Sequence, residues 1–131
     1  MSNLIEQIKE SEGFNGNAYR DSLGKQTIGY GTLLPLTKYE ATLLLEFRLN
    51  QKIAKLQHKK PTIKKHSEDV QNAIYEMCYQ LGVGGVLSFK KMWRALDKKR
   101  YKTASKEALD SLWAKQTPQR AKRIAEVIAK G

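Results

Sequence analysis

Two acidic residues near the N-terminus, Glu12 and Asp21, are placed so that their carboxyl groups could act as a pair in acid–base chemistry. Glu12 follows the apolar spacing of a short predicted helix, and Asp21 lies in a predicted turn. Carboxyl groups on different elements that face a common groove can have different surroundings, so one stays protonated while the other is ionised. Such a pair can protonate a leaving oxygen and activate water, as glycosidic bond cleavage requires. The spacing alone is weak evidence, because surface carboxylates are common.

The elements around these acids are predicted to be a short helix and a small sheet. Helical spacing of apolar residues covers residues 4–11. Residues 13–32 are rich in Gly, Asn, Tyr and Thr, with a turn at residues 21–24 and a strand at residues 26–30. This pattern predicts a hairpin or a three-stranded sheet, and it is the only β region that the sequence indicates.

The rest of the sequence predicts helices. Thr37 and Glu40 have the spacing of a capping box before a helix over residues 38–56, and residues 58–65, with Pro61, predict a loop. Four further helices are expected. The first begins after Ser67 and ends at Gly82, Gly84 and Gly85; the others begin at Ser88, at Thr103 (running through Trp113), and at Thr117-Pro118.

Composition restricts the class of protein. The 131 residues suit one domain or two small lobes, and a single cysteine, Cys78, excludes an intrachain disulfide. Charged residues within the first ten positions exclude the apolar core of a signal peptide, and no apolar run is long enough to span a bilayer. We therefore expect a protein that matures in a reducing cytoplasm without a membrane anchor. A substrate outside the membrane would then require another factor for release.

The formal net charge of +11 indicates an anionic partner, for which nucleic acid, anionic lipid and the bacterial cell wall are alternatives. Residues 47–67 contain seven Lys or Arg residues and no acidic residue. This basic run is typical of a solvated helix face and loop, and a binding role is the alternative.

Three collinear blocks carry a resemblance to a known family. The first reads Glu12, eight residues, Asp21, five residues, then Thr-Ile-Gly-x-Gly from Thr27. The second covers residues 79–85, and the third, residues 113–123, contains Gln-Thr-Pro-x-Arg-Ala-Lys-Arg. Together they resemble the phage-type lysozymes of glycoside hydrolase family 24, most nearly the T-even phage members. The resemblance covers residues 4–32 and 71–128.

This resemblance implies an α+β, mostly α, lysozyme-like fold for residues 1–131. A small N-terminal β-sheet lobe, about residues 12–56, and a larger C-terminal helical lobe, about residues 67–131, would be joined by a long helix, with a cleft between them. The N-terminal helix, residues 3–11, would pack with the helical lobe.

It also implies a muramidase that hydrolyses the β-1,4 bond between N-acetylmuramic acid and N-acetylglucosamine in peptidoglycan, leading to lysis of the host cell. Glu12 would be the general acid, Asp21 the second carboxylate, and Thr27 would help to place the attacking water. Arg120 would be the charge partner of Glu12. Leu33, Tyr79 and Gln80 would contact the saccharide or face the cleft.

The sequence departs from the T-even pattern in three places. The segment between Leu34 and Lys65 is shorter, so substrate contacts in that segment are not carried over. Ser11 replaces an acid, which removes an expected ion pair to Arg123, and Thr32 replaces a histidine. None of these changes touches Glu12, Asp21 or Thr27.

Other functions remain open at this point. A lytic transglycosylase acts on the same substrate with one acid, and the presence of Asp21 and Thr27 favours the hydrolase. A nucleic-acid-binding protein is supported by the net charge, but no binding motif accompanies it. A wall-binding domain without activity is disfavoured by the three intact catalytic residues.

The sequence implies no cofactor. His58 and His66 lack the acid or cysteine pattern of a metal site, and Cys78 is expected in the core, as are Trp93 and Trp113. The expected partners are peptidoglycan glycan strands and a holin-like protein that permeabilises the membrane, with no nucleic acid. The enzyme is expected to be a monomer in the host cytoplasm until its release to the cell wall.

Overall fold

The computed structural model describes residues 2–131, which form a mostly helical chain with one three-stranded sheet. This arrangement confirms the predicted α+β, mostly α, class. The strands are β1 (Asn15–Arg20), β2 (Gln26–Gly29) and β3 (Thr32–Leu33). The helices are α1 (Ser2–Glu12), α2 (Lys38–Lys59), α3 (Glu68–Leu87), α4 (Lys90–Asp97), α5 (Tyr101–Leu109), α6 (Leu112–Gln116) and α7 (Pro118–Lys130), with a 3₁₀ helix at Pro61–Lys65.

The chain divides into two compact units, one ending at Leu44 and the other spanning Leu45–Gly131. The division falls inside α2, and α1 belongs to the first unit. The sequence instead predicted that this helix packs with the helical lobe. That placement, the lobe bounds of about 12–56 and 67–131, and the cleft stay predictions.

The first unit contains the antiparallel sheet, in the order β1-β2-β3. A tight turn at residues 21–24 joins β1 to β2, as predicted, because Gly24 adopts a positive φ of 78° that other residues rarely tolerate. Tyr19 pairs with Thr27, and Thr27 pairs with Leu33 on the next strand. The register therefore places Thr27 in the central strand.

The N-terminus of α2 confirms the predicted capping box. The backbone N–H of Glu40 donates to Thr37 Oγ1, and the backbone N–H of Thr37 donates to Glu40 Oε1. The helix continues to Lys59, beyond the predicted end at residue 56, and residues 61–65 form a 3₁₀ helix where a loop was predicted. Pro61 accounts for this, because proline starts a helical turn readily but cannot continue α2.

Buried apolar side chains on α2 to α7 and on the 3₁₀ helix form the core of the second unit. Leu56 comes from α2 and Ile63 from the 3₁₀ helix, and the largest others are Ile74, Met77, Met92, Leu96, Ile124 and Ile128. Cys78, Trp93 and Trp113 are buried in the same cluster, as predicted. Burial raises the pKa of the Cys78 thiol, although the charge of Lys52 lowers it in part.

One predicted helix start is confirmed, and three other predicted boundaries differ from the structure. Ser67 caps α3 as expected, since its Oγ accepts from Val70 N–H. Gly82 breaks α3 with φ 80° and ψ 165°, but Gly84 and Gly85 lie in a second helical stretch that continues to Leu87. The predicted starts at Ser88 and Thr103 are wrong, because α4 begins at Lys90 and α5 at Tyr101.

The prediction of a single helix through Trp113 is also wrong, whereas the prediction of the last helix is correct. Ser111 Oγ accepts from Ala114 N–H and starts the separate helix α6. Local capping therefore outweighs the continuous apolar spacing from which one helix was predicted. Helix α7 begins at Pro118, as the Thr117-Pro118 pair predicted.

Candidate active site

Glu12 is the last residue of α1, and its side chain is exposed. Its carboxyl group lies against the turn between β2 and β3. A Cβ atom added at Gly31 would be 2.5 Å from Glu12 Oε2 and 2.7 Å from its Cδ. The second glycine of the Gly-x-Gly pattern therefore provides the space that the Glu12 carboxyl occupies.

Tyr30 connects the same turn to α1. The Nζ of Lys9, on α1, lies 5.5 Å from the centroid of the Tyr30 ring, a cation–π distance. Phe14, just after α1, packs against the same ring, with the two ring centroids 5.3 Å apart. These contacts hold the C-terminal end of α1, and hence Glu12, beside the β2–β3 turn.

Asp21 organises the turn between β1 and β2. Its Oδ1 accepts the backbone N–H groups of Leu23, at 2.9 Å, and Lys25, at 2.8 Å. The side chain is half-buried, and no hydrogen bond within residues 2–131 involves its Oδ2. One carboxylate oxygen therefore stabilises the turn, while the other is free to accept a proton or a hydrogen bond.

Thr27 and Asp21 both bind the backbone of Lys25. Thr27 Oγ1 donates to the Lys25 carbonyl at 3.0 Å, while the Lys25 N–H donates to Asp21. Thr27 is 2% exposed, and its hydroxyl proton is used by this bond, so only the oxygen lone pairs remain to accept. Leu33, the strand partner of Thr27, is exposed on β3.

In the second unit, Gln80 is held by two residues outside its own helix. The Trp113 indole N–H donates to Gln80 Oε1 at 2.9 Å, and Gln80 Nε2 donates to Thr117 Oγ1 at 3.5 Å. An indole can only donate, so this bond fixes the orientation of the amide. Tyr79, the preceding residue, is partly buried.

Arg120 binds Glu76 within the second unit. Arg120 Nε donates to Glu76 Oε2 at 2.8 Å, and Arg123 Nη2 donates to the same oxygen at 2.5 Å. Partial burial alone would raise the pKa of Glu76, but the hydrogen bonds and charges of Arg123 and Arg120 outweigh it and hold this pKa below its usual value. The predicted pairing of Arg120 with Glu12 stays a prediction.

Each unit thus brings together part of the predicted set. The first places Asp21, Thr27 and Leu33 around one sheet, with Glu12 at its β2–β3 turn. The second places Tyr79, Gln80 and Arg120 on or beside α3. The sequence interpretation did not include Glu76, although it is the only acid between Asp69 and Asp97 and stands among the apolar residues 73–75 and 77–78. A lone acid in a short apolar stretch was a signal for a partly buried ion pair.

Neither histidine of the chain has the surroundings of a metal ligand. His66 is buried, its Nδ1 lies 2.8 Å from Tyr101 Oη, and His58 is exposed on α2. Over residues 2–131 there is no group of three side chains of the kind that binds a metal ion. Nor does any helix in that range have the length and hydropathy needed to cross a membrane.

A family model described as phage lysozyme matches residues 9–126, which include Glu12, Asp21, Thr27 and Arg120. The chain belongs to the phage lysozyme family. As a phage lysozyme it is a glycoside hydrolase of the muramidase-like type, with peptidoglycan as its substrate.

Individual relatives of this phage lysozyme cover the whole chain. It is 28% identical to Probable T4-type lysozyme 1 and 26% identical to Probable T4-type lysozyme 2, both of Dictyostelium discoideum, over all of the chain and 96% of each relative. It is 29% identical to Pre-baseplate central spike protein Gp5 of Enterobacteria phage T4, over 98% of the chain and 28% of that protein.

The alignments also show that this lysozyme is short. The match with the first Dictyostelium relative extends over 163 positions, although the chain has 131 residues. The relative therefore has additional residues that this chain lacks. The sequence predicted such a shortening for the segment between Leu34 and Lys65, and that location stays a prediction.

Proposed function

We propose that this phage lysozyme hydrolyses the β-1,4 bond between N-acetylmuramic acid and N-acetylglucosamine, with Glu12 as the general acid. One observation carries the proposal. The Glu12 carboxyl lies against Gly31, in the turn that follows the strand containing Thr27, and both Thr27 and Asp21 bind the backbone of Lys25. The two carboxyl groups and one hydroxyl are therefore supported by one small sheet.

Each group has a distinct part in the proposed reaction. Protonated Glu12 gives its proton to the glycosidic oxygen as the bond to the sugar breaks. Asp21, through the carboxylate oxygen not used by the turn, takes a proton from water. Thr27 orients that water by accepting one of its hydrogens, because its own hydroxyl proton is held by Lys25. Water attacks from the face opposite the leaving group, so the configuration at the sugar inverts.

The residues for substrate contact come from both units. Leu33 presents an exposed aliphatic side chain next to Thr27, and Tyr79 presents a partly exposed ring. Gln80 presents an amide held by Trp113. We propose that these three contact the glycan, and that Arg120 is the charge partner of Glu12.

The test is cleavage of purified peptidoglycan by the wild type, Glu12→Gln and Asp21→Asn, with Glu10→Gln as the matched control on the same helix. We expect Glu12→Gln to lower the rate by about 100-fold or more, because an amide cannot protonate the leaving oxygen. Asp21→Asn should lose most activity, and Glu10→Gln should retain it. Wild-type activity in Glu12→Gln would contradict the assignment.

Analysis of the products separates two mechanisms. The proposed hydrolase releases an ordinary reducing end, and the α anomer is formed first from a β-linked glycan. Inversion requires room for water between carboxyl groups that are roughly 6.5–9.5 Å apart. An anhydro end would instead show a lytic transglycosylase, and the β anomer would show retention.

We further propose that the enzyme acts in host lysis. It would accumulate as an active monomer in the host cytoplasm until a holin-like protein permeabilises the membrane. A fold whose one cysteine is free and buried supports maturation in a reducing compartment. Cells that express this chain alone should stay intact until the membrane is breached, and prompt lysis without such a breach would contradict the proposal.

A further inference from the structure

The break in α3 at Gly82 interrupts the regular hydrogen bonding of the helix backbone. A carbonyl within a helix accepts from the N–H four positions later. Gly82 has φ 80° and ψ 165°, which interrupts this pattern just after Leu81. The helical donor for the Tyr79 carbonyl would be the Val83 N–H, which lies beyond this break, so this carbonyl can accept from another donor.

Lys52 supplies that donor from α2. Its Nζ donates to the Tyr79 carbonyl at 2.9 Å, across 27 positions of the sequence. The Lys52 side chain is partly buried, where an ammonium group requires partners, and this carbonyl is one. The bond lies entirely within the second unit.

The same ammonium also contacts the ring of Tyr79. Lys52 Nζ lies over this ring, 4.9 Å from its centroid, which is within cation–π distance. One cation thus binds both the backbone and the side chain of a single residue. Since the carbonyl fixes the cation, the cation in turn restricts the rotation of the ring.

Tyr79 and Gln80 are consequently held by residues from two different parts of the sequence. Lys52, which precedes them, holds Tyr79, while Trp113 and Thr117, which follow them, hold Gln80. We infer that Lys52 is a positioning residue that holds the Tyr79 ring in the orientation that contacts the glycan. This inference rests on the proposed function. It gives a specific role to Lys52, which in the sequence was only one of the charged residues of the basic run.

The kinetic test compares Lys52→Met with Lys55→Met on defined soluble peptidoglycan fragments. Both variants lose one charge from the same helix and the same basic run, but Lys55 is exposed. We expect Lys52→Met to raise KM by about threefold to tenfold relative to Lys55→Met, with little change in kcat, because the loss falls on binding. Lys52→Arg should restore most of the binding, since a guanidinium also donates and stacks.

A double-variant cycle shows whether Lys52 acts through the ring. In the Tyr79→Leu background, Lys52→Met should have no further effect on KM. An equal effect in both backgrounds would mean that Lys52 contacts substrate directly, and equal KM values for Lys52→Met and Lys55→Met would overturn the inference. Both outcomes need an active wild type, so they are distinct from failure of the proposed function, in which the wild type itself would not cleave.

An NMR measurement tests the contact without activity or substitution of Lys52. Protons near an aromatic face are shifted upfield, so the ε-methylene resonances of Lys52 should be upfield of those of Lys55. The shift should disappear in Tyr79→Leu. Ordinary Lys52 resonances in the wild type would overturn the inference even if Lys52→Met failed to fold.

Discussion

Gly31 meets two independent requirements at one position. Its φ of 74° lies in the left-handed region, which side chains with a Cβ rarely adopt, and its missing Cβ makes room for the Glu12 carboxyl. Gly29, two residues earlier, has a similar φ of 68°, but a Cβ added there would have no neighbouring atom within 4 Å. Comparing the two glycines therefore separates the effect of backbone strain from the effect of contact with Glu12, the proposed acid.

We predict that Gly31→Ala loses activity much more than Gly29→Ala. Each alanine should destabilise the fold by roughly 1–2 kcal/mol through its left-handed backbone. Only the alanine at position 31 also displaces the Glu12 carboxyl, and misplacement by about 1 Å can reduce a rate by about 100-fold. Thermal unfolding and peptidoglycan cleavage measured on both variants would check this. Equal activity in the two would show that the position of Glu12 does not depend on Gly31.

His66 is a second residue whose role is set by its surroundings. It is buried, its Nδ1 lies 2.8 Å from Tyr101 Oη, and its ring meets the Tyr101 ring edge to face. Burial lowers the pKa of His66 below its ordinary value of 6.5. The charge of Lys99 also lowers this pKa, whereas the charge of Asp97 raises it and offsets part of the effect.

This lowered pKa predicts a loss of stability in mild acid. Between the folded and the unfolded pKa the unfolded chain binds more protons, so the free energy of unfolding falls as the pH falls below about 6.5. His66→Gln should remove this contribution, and His58→Gln, at an exposed histidine, should not. Denaturant unfolding at several pH values, from mildly alkaline into the acid range, checks the slope. A slope in His66→Gln that matches the wild type would refute the assignment.

At the scale of elements, side-chain caps mark the starts of two helices in the second unit. Ser67 caps α3 and Ser111 caps α6, each by accepting a backbone N–H three residues later. The cap at Ser67 sets the start of the helix that carries Glu76, Tyr79 and Gln80. Its contribution is therefore to stability, at a distance from the predicted site.

We predict that Ser67→Ala lowers the free energy of unfolding of the second unit by about 1 kcal/mol, and Ser67→Gly by only a few tenths. Alanine removes the acceptor for Val70 N–H and leaves that donor unpaired. Tryptophan fluorescence during denaturant unfolding reports this unit alone, because Trp93 and Trp113 both lie in it. A larger loss with glycine than with alanine would be inconsistent with a capping role.

At the scale of the whole molecule, the lysines that contribute to the net charge of +11 have different surroundings. Two lysines of the basic run, residues 47–67, have aromatic partners, since Lys52 contacts Tyr79 and Lys60 Nζ lies 5.5 Å from the Trp93 ring centroid. The others that are exposed, Lys55, Lys59, Lys64 and Lys65, are available to an anionic cell wall.

Lysis of whole cells should therefore weaken as salt is raised, because exposed charges are screened beyond about 10 Å at 0.1 M. Cleavage of small soluble fragments should depend on salt much less. Replacing Lys55, Lys59, Lys64 and Lys65 by Gln should reduce the salt dependence. The same change at the exposed Lys91, Lys98, Lys102 and Lys106 provides the control with equal net charge. Equal effects of the two sets would assign the attraction to net charge alone.

The sequence by itself determined the class of fold, the family and the elements that carry local signals. Glu12, Asp21 and Thr27 lie within sixteen positions whose turns, glycines and strand pattern are local, and the capping box at Thr37 and the Thr117-Pro118 start are local too. Such features are readable because the interacting groups are a few residues apart.

The tertiary structure alone decided which distant side chains meet. Glu76 binds arginines 44 and 47 positions away, and Lys52 reaches Tyr79 across 27 positions. The starts of α4 at Lys90 and α5 at Tyr101 likewise departed from their local signals. Burial in a shared core sets which distant side chains meet, and no spacing in the sequence records which faces pack together.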